Sequence, residues 1–167
     1  MIVTVANHKG GVGKTALAVH LCFLAAESHR VLAIDLDAQG NLGNTLAERA
    51  AKRGHAGADA LFAEAPPPEP MRTADPRIDL LPATAALNGV DRLTLSAAFQ
   101  ARGRIRALAA RYDLVVIDTA PALGLRLTAA LASSRHLLVP LVPESYAVDG
   151  VASMLAEAAS IQENLNP

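Results

Sequence analysis

The segment Gly10-Gly11-Val12-Gly13-Lys14-Thr15 constrains this chain more than any other. Three glycines in four positions favour neither helix nor strand, because glycine loses the most conformational freedom on ordering. The segment is nonetheless bracketed by ordered patterns. Met1–Ala6 is an apolar, β-branched run that reads as a buried strand, and Thr15–Ala26 is an alanine- and leucine-rich run that reads as a helix. A strand, a glycine turn and a helix in that order aim successive backbone N–H groups at one point, beside the positive end of the helix dipole. Such a point receives phosphate oxygens. Lys14 is placed to span β- and γ-phosphates, and the Thr15 hydroxyl to ligate Mg2+. The standard spacing G-x-x-x-x-G-K-[ST] is not met, because position 8 is His8, and Lys9 stands ahead of the glycines instead.

The rest of the chain repeats the alternation of strand and helix. Val31–Ile34, Ile78–Leu81, Leu114–Ile117 and His136–Val142 read as strands. Asn41–Lys52, Leu125–Ala132 and Val148–Leu165 read as helices, the last stopped by Asn166-Pro167. Residues 83–111 read as mostly helical with a break near Gly103, and Ala65–Pro70 as a stiff proline loop. Continuous apolar strands alternating with helices predict an α/β fold, a mostly parallel sheet with helices on both faces. No boundary divides residues 1–167, so a single P-loop NTPase domain is expected. Ligands in such folds sit at the carboxyl ends of the strands, where Asp35, Asp37, Asp118 and the glycine loop all fall.

Composition narrows the function classes. Hydrophobic residues are 51% and charged residues 19%, which excludes a disordered chain. The net charge of −1 leaves no global positive field, so any contact with nucleic acid needs a local patch. Arg102, Arg104, Arg106 and Arg111 are the candidate, read first as a solvated helix face and second as part of a nonspecific DNA surface. Cys22 is the lone cysteine, which excludes an internal disulfide or a multi-cysteine metal site. The five histidines show no metal-ligand spacing, and His8 reads as incidental to the loop. No signal peptide and no run of 18 apolar residues appear, so a cytoplasmic chain without a membrane span is expected. Lysine is scarce, three against twelve arginines, yet Lys9 and Lys14 both fall in the glycine loop. A compact ammonium rather than a planar fork is wanted there.

Three aspartates complete the constellation. Asp35 and Asp37 lie on the same side of an extended segment. One could hold a Mg2+ shell and the other orient an attacking water. Asp118 ends the apolar run Leu114–Ile117, the form taken by a carboxylate that contacts Mg2+ through water.

The heptapeptide Lys9-Gly10-Gly11-Val12-Gly13-Lys14-Thr15 resembles the deviant Walker A motif of the ParA and MinD superfamily. Asp35–Asn41 is similar to the Walker A′ segment of the ParA partitioning family, Asp118-Thr119-Ala120-Pro121 to its Walker B continuation, and Val139–Gly150 to the strand and helix start downstream. The resemblance runs from Met1 to about Gln162. It implies an ATPase with ATP and Mg2+, bound by Lys9 to Ala16, where Ala16 stands in place of a second threonine. It implies catalytic roles for Lys9, Lys14 and Asp37 and metal contacts through Thr15, Asp35 and Asp118. Lys9 reaches the nucleotide of a second subunit in that family, so an ATP-dependent homodimer is expected. A ParB-type centromere-binding partner, nonspecific DNA binding with nucleoid association, and slow turnover without the partner are also implied. The start of the phosphate loop within ten residues suggests the short ParA type, with the family's last strands and helices missing. A MinD-like positioning ATPase is less favoured, because no basic amphipathic segment ends the chain. A P-loop regulatory or interaction module without hydrolysis is the alternative from another class.

Overall fold

The computed structural model describes residues 1–47, 54–142 and 147–165. Its centre is a six-stranded sheet in the order β3-β4-β2-β5-β1-β6. The strands are β1 (Ile2–Val5), β2 (Val31–Asp35), β3 (Met71–Arg72), β4 (Ile78–Leu81), β5 (Leu114–Asp118) and β6 (His136–Leu138). All pairings are parallel except that of β3 with β4. The α/β fold with a mostly parallel sheet is therefore as expected from the sequence.

Strand alternation explains why both faces are covered. Val31, Ala33, Leu114 and Val116 pack with Ala18, Cys22 and Ala26 of α1 (Lys14–Ala26) and with Leu42 and Leu46 of α2 (Asn41–Leu46). Their neighbours Leu32, Ile34, Val115 and Ile117 point the other way. They meet Ala101, Ile105 and Leu108 of α4 (Leu95–Ala109) and Ala129 and Ala130 of α5 (Leu125–Ser133). The helices offer alanines at the contacts, so their backbones approach the sheet closely. A third cluster joins Ala6, Leu127, Leu131 and Met154, the last from α6 (Ala147–Leu165). Cys22 is buried in this packing, as a small apolar residue.

Several boundaries differ from the sequence reading. The helical stretch breaks not at Gly103 but between α3 (Leu87–Val90) and α4, where Thr94 is extended. Gly103 is exposed, and burial of Ala101, Ile105 and Leu108 outweighs the roughly 1 kcal/mol that glycine costs a helix. Strand β6 stops at Leu138 rather than Val142, because Pro140 has no N–H to continue the ladder. The predicted helix Asn41–Lys52 is helical to Leu46, and its end from 48 to 52 lies outside the described residues. The short strand β3 and a 3-10 turn at Ala58–Phe62 were not expected. The arginine cluster divides. Arg104 donates to the carbonyls of Leu61 and Ala65, and Arg111 to Glu69, so two of the four tie down the proline loop.

Candidate functional site

The glycine loop joins β1 to α1 at the carboxyl edge of the sheet. Gly11 and Gly13 have φ of 74° and 89°, the left-handed region that side-chain-bearing residues avoid. Gly13 is the N-cap of α1 and receives the Leu17 N–H on its carbonyl, so the free N–H groups of the first turn face the loop. A Cβ built on Gly10, Gly11 or Gly13 would meet nothing within 4 Å. The glycines therefore border open space and not a packed neighbour, as a backbone cradle for a ligand must. That space is a cavity of about 580 Å³ lined by the glycines with Lys14, Thr15, Ala16, Asp37, Gln39, Asn88 and Arg126, among others.

Lys14 is buried, and its Nζ donates to the Lys9 carbonyl at 2.9 Å. Burial lowers its pKa, while Asp118 and Asp37 pull it back up. Thr15 donates its hydroxyl to Asp118 Oδ2 at 2.7 Å, which brings the helix start and the end of β5 together. Asp118 is fully buried, and burial pushes its pKa up to about 6 against the Thr15 hydrogen bond, which lowers it. Its Oδ1 is buried without a hydrogen-bond partner. An orphaned carboxylate oxygen beside a threonine hydroxyl is the donor set a hard divalent cation or its water takes. The residues present thus fit Mg2+ bound through Thr15 and Asp118.

Asp35 behaves differently. It pairs with Asp118 across the strands and is fully buried, but both of its oxygens accept backbone N–H groups, from Asp37 at 3.2 Å and Gly43 at 2.8 Å. Burial raises its pKa to about 7, opposed by the Gly43 bond and assisted by Asp118. It shapes the loop after β2 and does not line the cavity. Asp37 does line the cavity, and its Oδ1 accepts the Gln39 N–H at 3.0 Å. Lys9 is exposed and Val12 buried, and neither is among the lining residues.

Some contributors carried no sequence signal. Asn7 braces the loop by accepting the Lys9 N–H and donating to the Pro140 carbonyl, both at 2.9 Å. His8 Nε2 lies 3.2 Å from a Glu157 carboxylate oxygen, so the loop and α6 approach each other there. Asn88 and Arg126 come to the cavity from helices distant in sequence, which no local spacing could reveal.

A family model described as an AAA domain matches residues 1–167. The chain is 34% identical over 171 residues to the chromosome partitioning protein ParA of Myxococcus xanthus, covering 99% of this chain and 60% of that protein. The chain belongs to the ParA family of partitioning ATPases. Among solved structures, a putative plasmid partition protein from Borrelia burgdorferi bound to AMPPNP superposes with a TM-score of 0.84 at 26% identity, covering 99% of this chain and 71% of that one. Cobyrinic acid a,c-diamide synthase from Mycobacterium smegmatis with bound ADP and magnesium gives a TM-score of 0.85 at 30% identity, covering 99% and 69%. The ParA-family chain described here thus spans about 60% of the length of its Myxococcus relative. Among the described residues no helix is long and apolar enough to cross a membrane.

Proposed function

We propose that this ParA-family chain binds Mg2+-ATP, dimerises with it and hydrolyses it as a switch in plasmid or chromosome partition. The observation that carries the reading is the Thr15–Asp118 hydrogen bond beside Lys14, at the foot of a glycine cradle open to a cavity. AMPPNP in a partition protein and ADP with magnesium in a second relative of the same fold support a nucleotide as the ligand.

The backbone N–H groups from Gly10 to Ala16 hold the phosphates, and Lys14 supplies the central positive charge. Thr15 and Asp118 hold Mg2+, which when bound offsets phosphate charge and orients the oxygens. Asp37 orients the attacking water, whose O–H donates a hydrogen bond to the carboxylate. Asp35 acts through the backbone of the same loop and not as a metal ligand. Lys9, which is exposed, meets the nucleotide of a second subunit, the role that the resemblance implies. Lys9 is also the feature that sets this loop apart from a plain phosphate loop. A ParB-type centromere-binding protein and nonspecific DNA are the expected partners, in the cytoplasm on the nucleoid.

Calorimetric ATP binding and phosphate release, measured with and without DNA and a centromere-binding partner, test this reading. The Asp37→Ala variant is expected to bind ATP and to lose turnover. Turnover unchanged in that variant refutes the role of Asp37. A wild type that binds ATP and never turns it over supports the non-hydrolysing module instead.

A further inference from the structure

The Arg126–Asp91 pair lies outside the phosphate-loop chemistry yet reaches into the same cavity. Arg126 is the second residue of α5, and Asp91 follows α3. The guanidinium Nε and a terminal nitrogen both donate to Asp91 Oδ2, at 2.9 and 2.7 Å. The other terminal nitrogen donates to the Leu36 carbonyl at 3.2 Å. Asp91 Oδ1 in turn accepts the Arg126 backbone N–H at 3.3 Å. Position 124 is kept bare by the same carboxylate, since a Cβ on Gly124 would come within 2.5 Å of Asp91 Oδ1. The Arg126 side chain is only 14% exposed and runs inward to the Leu36 carbonyl, while Asp91 holds it from the exposed side.

The target of that contact is what matters. The Leu36 carbonyl belongs to the peptide unit whose nitrogen is that of Asp37. The oxygen of this unit is held by Arg126, and its N–H is held by Asp35 Oδ1. The Leu36 N–H is bound to the Asp118 carbonyl at 3.0 Å. A peptide plane fixed at both edges sets the direction in which the Asp37 side chain leaves the chain. A planar, multi-donor cation spans a carboxylate and a carbonyl together, which an ammonium does less well.

We propose that Arg126, oriented by Asp91, is a positioning residue that fixes the Asp37 loop for hydrolysis. This rests on the reading of Asp37 as the water-orienting group. Loss of the clamp leaves the phosphate cradle intact, so it acts on turnover and spares nucleotide binding. A small misplacement of a reacting group costs up to about a hundredfold in rate.

Two measurements on the full chain test it. The first is amide hydrogen exchange in the nucleotide-free protein, comparing wild type, Arg126→Leu, Arg126→Lys and Asp91→Asn. Exchange at 36–40 is expected to rise about tenfold or more in Arg126→Leu and less in the other two, with 2–5 and 114–117 unchanged. The second is steady-state hydrolysis with ATP affinity measured alongside. The kcat is expected to fall between about tenfold and about a hundredfold in Arg126→Leu, with partial recovery in Arg126→Lys and KM within about threefold. Unchanged exchange at 36–40 in Arg126→Leu overturns the proposal. So does a loss of ATP affinity at constant kcat, which makes Arg126 a direct phosphate ligand. A wild type without turnover counts against the functional reading alone, and the exchange arm still decides the clamp.

Discussion

Two fully buried carboxyls side by side at the strand ends make stability depend on pH in an unusual direction. Asp35 titrates at about 7 in the folded protein against an ordinary value of 3.8, chiefly through burial, and Asp118 at about 6. The folded state therefore keeps protons that the unfolded chain has already released. Stability from these groups is greatest at low pH, falls as pH rises above about 4, and levels off beyond about 7. For Asp35 alone, the linkage integrated from about pH 5 to about pH 8 amounts to roughly 2.5 kcal/mol. The Asp35→Asn variant isolates this. Its amide cannot accept from both the Asp37 and Gly43 N–H groups, so it is destabilised at every pH, but it lacks the titration. The destabilisation relative to wild type should then be larger near pH 5 than near pH 8 by roughly 2.5 kcal/mol, read from urea unfolding of the nucleotide-free protein. A difference of zero, or one of opposite sign, would refute the claim that Asp35 is held protonated by the fold.

Other expected outcomes follow from single contacts. Lys14→Ala should lower ATP affinity by about a hundredfold or more, since a buried charge-assisted contact worth about 3 kcal/mol is lost; wild-type affinity by calorimetry contradicts the phosphate-loop assignment. Lys9→Ala should keep ADP binding near wild type and fail to dimerise with ATP, and light scattering that shows a normal ATP dimer removes the role across subunits. Tyr112→Phe should cost about 1–3 kcal/mol in thermal or urea unfolding, because its hydroxyl donates to the buried Asp79 Oδ2 at 2.8 Å; an unchanged stability means water replaces that donor.

The architecture was legible because burial on both faces leaves a simple trace. Val31–Ile34 and Leu114–Ile117 are apolar at every position, and each does face two different cores. The phosphate loop was legible because its glycines answer a local backbone demand, visible at Gly11 and Gly13 as positive φ. What escaped notice depends on distance in the chain. Arg126 and Asp91 are separated by 35 residues, and Asn7 reaches Pro140 across 133. Nothing in the spacing around either residue marks such a contact. The break near Gly103 failed for the opposite reason, since a local propensity was outweighed by the packing of Ala101, Ile105 and Leu108. Asp35 and Asp37 could not be told apart by alternation alone. The N–H groups of Asp37 and Gly43 separate them, by turning one carboxylate inward and leaving the other on the cavity.

The groups that phosphate and metal require also bond within the protein. Lys14 gives its ammonium to the Lys9 carbonyl, and Thr15 gives its hydroxyl to Asp118. A carbonyl is a weaker acceptor for an ammonium than an anionic oxygen is. Exchange of the first bond for a phosphate contact is therefore favourable, and it frees the carbonyl of the very residue whose side chain the proposed dimer uses. The second bond gives the Asp118 carboxylate a hydrogen-bond donor, in a place where an unpaired buried carboxylate would be costly. The Lys14 ammonium and the Lys9 backbone are thus joined by one hydrogen bond, a direct link between the phosphate-binding lysine and the residue on which the proposed dimer rests.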